Sequence, residues 1–173
     1  MDYALSIMNW IGRWRHTRGY GVHSPLAFRI VKECVRPDKK YGFYSDAYLD
    51  FEYHEDRKGL RYAKLALRLI NLLRPKRVWI PGGDRRLCTA LKMSFPKIQF
   101  ATNKECPKNV DFIVCNSGEH QAMWKKMDGI EECGMLVFGK EPDKIEQATL
   151  MLISGTFTII LRREGMDFVS YSI

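Results

Sequence analysis

The residues best placed for ligand chemistry stand in IPGGDRRL, residues 80–87, where a short apolar run ends in Gly82 and Gly83 and Asp84 follows. A strand that closes in a tight glycine turn and feeds a helix makes a seat for an anion or nucleotide. The first helical amides point at the ligand, and small residues let the backbone come close. Asp84 can also cap the helix that follows. The GxGxxG spacing of a dinucleotide loop is absent, and Arg85 and Arg86 stand where a crowded ligand wants small side chains. Arginines beside a helix start can instead meet phosphate. An ordinary turn and a ligand seat therefore both stay open.

Other reactive groups are scattered. His54, Glu55 and Asp56 could form an acid/base group, or simply be solvated charge before a helix. Five cysteines are an odd number without a CxxC pair, which reads as reduced thiols used as small core hydrophobes. The four histidines stand at no ligand interval, so no metal is assigned. The net charge of +8 is uneven: residues 1–80 hold 16 Lys or Arg against 8 acids, and residues 81–173 hold 12 against 12. The surplus fits a basic face for phosphate, nucleic acid or acidic lipid, with Arg13, Arg15, Arg18, Lys39 and Lys40 as candidates, or an ordinary solubility device.

These groups must be positioned by ordinary elements. At 173 residues the chain suits one domain with a sizeable core. No apolar run reaches the roughly 18 residues of a membrane span, and Arg13 and Arg15 interrupt the N-terminus as a signal peptide, so a cytoplasmic protein is expected. Tyr3, Ile7, Trp10, Ile11 and Trp14 share one helical face, which favours packing onto the domain or a twin subunit over a membrane surface or base stacking. Ser24 and Pro25 read as the N-cap and first residue of a helix running through LAFRIVKECV. Residues 36–57 read as a long ordered connection or lid whose aromatics need burial. GLRYAKLALRLINLL is the strongest helix, stopped by Pro75.

Short apolar runs then alternate with helices: RVWI, RRLCTALKMSF, IQFAT, DFIVC, EHQAMWKKM and MLVFG, followed by a short helix around DKIEQA. That alternation predicts an α/β sheet covered on both faces. The tail, TLMLI, FTIILRR and MDFVSYSI, reads as three strands joined in antiparallel hairpins or as edge strands.

The phrase RHTRGYGVHSPLAFRIVKECV resembles the N-terminal signature of a bacterial family of class I S-adenosylmethionine-dependent methyltransferases, in which a GxHSPF-like phrase joins two helices. The resemblance continues in patches through YAKLALRLINLLRPKRV, the glycine turn, DFIVCNSGEH and GTFTIILRREGMDFVSYSI. It implies a sheet of seven strands, six parallel and one antiparallel near the C-terminus. It also implies an acidic residue at the end of the first strand, where this chain has Ile80 and then Pro81. Arg86 takes a later glycine position. The ribose carboxylate after the second strand matches Lys104, with Glu105 one step away. The DG-type phrase after the next matching strand becomes Asn116 and Ser117, then Glu119 and His120. Only NKECPKNV separates IQFAT from DFIVC, so one helix–strand–helix segment and its edge strand are missing. That link reaches only if it runs nearly straight or the topology differs.

The expected fold class is therefore α/β, a Rossmann-like methyltransferase-type sheet, mostly parallel with antiparallel C-terminal strands, an edge strand missing, preceded by N-terminal helices. It forms one domain, with residues 1–57 as helical extension and connection and residues 58–173 as the α/β core. The expected function is a methyltransferase-like protein that has lost ordinary cofactor binding and serves a binding or structural role. The alternatives are a divergent methyltransferase binding S-adenosylmethionine through Gly82, Gly83, Asp84, Glu105 and Asn116, and a binder of nucleic acid or anionic lipid. A homodimer is a candidate assembly, with no specific nucleic acid and no catalytic residue assigned.

Overall fold

The structure, a computed structural model, describes residues 24–37, 42–43, 45–103, 105–116, 118, 120–127, 130–139, 148–163 and 168–173. The segment expected as an N-terminal aromatic helix, with Arg13, Arg15 and Arg18, lies outside these residues, as do His23, Lys39, Lys40, Lys104, Ser117, Glu119 and most of the expected DKIEQA helix.

The first described helix, α1 (Pro25–Arg29), starts as its sequence predicts. Ser24 accepts the Ala27 amide through its hydroxyl and Pro25 opens the first turn. The helix then widens into a π-helical segment, Ile30–Val35, whose last turn closes with the Arg36 amide donating to Val31 O. Ile30, Val31 and Cys34 are buried there, and burial pushes the Cys34 thiol up to about 12, with the Glu33 charge adding to the shift. Within the expected connection a short helix forms, α2 (Asp46–Glu52). Its period was illegible because only Leu49 of its seven residues is buried. Next comes α3 (Arg57–Leu73), capped by Asp56 accepting from the Gly59 amide. It buries more than one stripe, including Leu65, Leu67, Leu69 and Ile70, because the π segment and the sheet cover it from two sides.

Among the described residues the sheet has seven strands: β1 (Arg77–Trp79), β2 (Gln99–Ala101), β3 (Phe112–Asn116), β4 (Cys133–Phe138), β5 (Leu150–Ile153), β6 (Phe157–Arg162) and β7 (Val169–Ser172). Their spatial order is β2-β1-β3-β4-β6-β5-β7. The pairs β1 with β2, β1 with β3 and β3 with β4 are parallel, whereas β6 is antiparallel to both β4 and β5. The C-terminal strands take both of the expected forms, a hairpin and an edge strand. MDFVSYSI does not extend an antiparallel hairpin from β6, because β7 passes beyond β6 and pairs parallel with β5. The tail thus contributes one hairpin and one parallel edge strand.

Side chains alternate between two buried layers, as a period of two demands. Val78, Phe112, Val114, Leu136, Leu150, Leu152, Ile159 and Leu161 face the layer of α1, α3 and α4 (Arg85–Ser94). Trp79, Ile113, Cys115, Met135, Val137, Met151 and Ile160 face the other layer, where α5 (His120–Lys125) and its C-terminal turn contribute Met123, Trp124 and Met127.

The short link from β2 to β3 crosses only one strand, β1. The lateral step is then about 10 Å, two strand spacings, so the link need not run straight. Residues 102–111 even include a left-handed turn at Asn109 (φ 60°). The indole of Trp79 donates to Asn103 O at 2.8 Å, Cys106 packs on the layer beneath, and Val110 is buried. An irregular segment covers the sheet here where a crossover helix would usually lie.

Candidate functional site at the carboxyl ends of the strands

Strand order reverses at β1: the chain steps outward from β1 to β2, then returns past it to β3 and continues the other way. In open α/β sheets the crevice outside the carboxyl ends of the strands at such a switch point is where ligands bind, because the connecting loops diverge and leave a gap. A cleft of about 210 Å³ lies at this place, bounded by residues 80–84 after β1, residues 114–116 of β3 and Phe138 of β4. The α2–α3 corner and the start of α3 form its outer wall through Tyr53, Asp56, Gly59 and Tyr62.

The glycines of the turn are needed for different reasons. Gly82 has φ +63°, and a Cβ there would meet nothing within 4 Å. Gly83 is a packing glycine, whose Cβ would lie 2.9 Å from Ile80 O and 3.0 Å from Cys88 Sγ. Hence only Gly82 faces open space.

Asp84 is committed within the protein. It accepts the Arg86 amide at 2.9 Å as the N-cap of α4, and the Arg86 side chain at 3.2 Å through both Nε and Nη2. The Tyr53 hydroxyl donates to Asp84 Oδ2, which it shares with Arg86 Nη2, at 2.5 Å. Arg86 also donates to Glu52 O at 3.3 Å and lies 4.0 Å from the Tyr53 ring centroid. Burial acts to raise the Asp84 pKa, but these hydrogen bonds outweigh it and hold the carboxyl below its ordinary range. The same pairing raises Arg86, whereas burial first, and then the hydrogen bond to Asp84, pushes the Tyr53 phenol upward. The three side chains form a clamp that fixes the α2–α3 corner to the glycine turn.

Tyr62 stacks on Phe138 with ring centroids 4.4 Å apart and donates to Thr156 O at 3.0 Å. These contacts hold the aromatic wall of the cleft across to the β5–β6 hairpin. Of the residues singled out by sequence, Gly82, Gly83, Asp84 and Asn116 come together around the cleft, as do Ile80 and Pro81. Glu105 is exposed and lies outside the lining, and His120 is buried at the start of α5, also outside it. Arg85 and Arg86 do not fill the cleft. His54 is exposed, bonded through Nδ1 to Phe51 O, and only Asp56 of the His54–Asp56 group reaches the lining. The aromatic residues Tyr53, Tyr62 and Phe138 escaped the sequence reading. The one available signal was the D-x-x-G cap at Asp56, which fixes where the α3 wall begins.

Compared with known proteins, the chain matches no protein-family model and no curated protein.

Proposed function

We propose that the chain is a methyltransferase-like protein that has lost ordinary S-adenosylmethionine binding and acts as a binding or structural protein. The observation that carries this reading is the commitment of Asp84 to Tyr53 and Arg86 beside a cleft of about 210 Å³. Sites for drug-sized ligands start at about 300 Å³. The donor set also fits the cofactor poorly. The acid expected at the end of β1 is Ile80, which is 4% exposed and part of the core, and Glu105 stands outside the cleft.

The ancestry has separate support. Among the described residues β6 is the single reversed strand, as the family's sheet requires near its C-terminus, and no strand pairs with the outer side of β2, where the missing edge strand would lie. The strand count remains seven because β7 adds a strand at the opposite edge. This combination supports a family sheet cropped on one side and extended on the other.

One observation favours the divergent enzyme as a second reading: the open space at Gly82, where a ligand backbone could approach. Titration calorimetry of S-adenosylmethionine into the full chain separates the two. We expect no saturable heat, and stoichiometric binding in the low micromolar range would overturn the proposal in favour of the enzyme.

A further inference from the structure

We propose that a second groove, at the amino ends of β3 and β4 and opposite the cleft, binds an organic phosphate with an apolar body. The groove encloses about 520 Å³, within the range of small-molecule sites. Its floor is apolar for a definite reason. A Cβ on Gly134 would lie 2.7 Å from the Phe112 ring and 2.8 Å from a Leu161 methyl, so these side chains close over a bare backbone. Leu26, Leu72 and Leu73, each half-buried, continue the apolar surface.

The rim is basic. Among the described residues, Arg29, Arg74, Lys76, Arg162 and Arg163 line the groove against Asp111 and Glu132. Both acids have protein partners: Asp111 accepts the Lys76 and Arg77 amides, and Glu132 pairs with Arg163 at 3.1 Å. Arg29 pairs with Glu33 at 3.0 Å, and Arg162 donates to Met127 O at 2.9 Å. The side chains of Arg74 and Lys76 have no acceptor among the described residues.

Arg74 supplies the second observation. It caps α3 in the left-handed region, φ 51° and ψ 51°, a place where glycine is the unstrained choice. An arginine there holds a guanidinium on the rim at the expense of backbone strain. Two cations without acceptors among the described residues, over an apolar floor, suit a phosphate head joined to an aromatic or aliphatic body.

The test titrates 1-naphthyl phosphate into the full chain, with 1-naphthol and inorganic phosphate as separate arms. The ester should bind more tightly than either part. Arg74→Gly should weaken binding about tenfold or more, the loss expected for one charge-assisted contact, while raising the melting temperature of the free protein. Lys76→Gln should weaken it again, and Asn116→Ala, at the other end of the sheet, should leave it unchanged. Absence of binding, equal binding by the Arg74→Gly/Lys76→Gln double variant, or an equal loss in Asn116→Ala would each overturn the proposal. So would naphthol or inorganic phosphate binding as tightly as the ester.

Discussion

The two ends of the sheet use charge in opposite ways. At the carboxyl end, the ionised Asp84 is surrounded by Tyr53 and Arg86, and the cleft beside it is small. At the amino end, Arg74 and Lys76 stand without acceptors among the described residues, around a groove more than twice as large. The end where an α/β sheet ordinarily takes its ligand has been closed on itself. The opposite end keeps unspent hydrogen-bonding capacity. A site is thus marked less by its position in the fold than by polar groups that folding leaves unsatisfied.

The strongest way to break this comparison is to overfill both ends. Gly83→Leu and Gly134→Leu should each destabilise the protein by about 3 kcal/mol, since overpacking of a fixed backbone site costs this order. Chemical denaturation would show it as a lower midpoint, and two unaffected midpoints would mean that neither end is built as described. Asp84→Ala should come next, at about 2 kcal/mol for a lost cap and the loss of its tyrosine and arginine partners. Tyr53→Phe should cost about 1 kcal/mol. A double-mutant cycle between Tyr53 and Asp84 should give a coupling well above zero, whereas additive losses would dissolve the clamp into independent contacts. Smallest is Lys76→Gln, expected to change stability by less than about 0.5 kcal/mol because the side chain has no partner among the described residues. A large loss there would reveal that the amino end is as self-satisfied as the carboxyl end.

Acid and alkali probe the clamp from two directions. Asp84 has a folded pKa below its unfolded value, so its stabilisation is present above the ordinary carboxylate range and lost as pH falls through that range and below. Tyr53 has a folded pKa above its unfolded value, so its contribution is intact below the ordinary phenol range and declines as pH rises through it. Wild type should therefore lose more stability than Tyr53→Phe above about pH 10. Parallel denaturation curves for the two proteins across that range would contradict the assignment.

Much of the fold could be read because each signal is local. Pro25 opens α1, Asp56 caps α3, Pro75 lies just beyond its end, and the apolar runs of β1 to β6 fall where strands form. The glycine turn was visible as a turn, and its place beside a cleft followed from strand order. The clamp was not legible, since Tyr53 and Asp84 lie 31 residues apart and Tyr53 sits in a segment with little periodicity. The pairing of β7 with β5 was hidden for a related reason. Alternation fixes which face a residue takes and leaves the choice of neighbouring strand open. The basic groove gathers side chains from residue 29 to residue 163, so no window of sequence contains it.

The brevity of β2 has a consequence for colloidal behaviour. An unpaired sheet edge can template the addition of strands from other molecules, and the risk grows with the length of ladder on offer. The outer edge of β2 presents only Gln99–Ala101, and Arg77 on the adjacent strand ties itself to the Gln99 side chain at 3.0 Å. An incoming strand would gain too few backbone hydrogen bonds to hold it. An edge this short ends the sheet and discourages edge-to-edge growth of filaments.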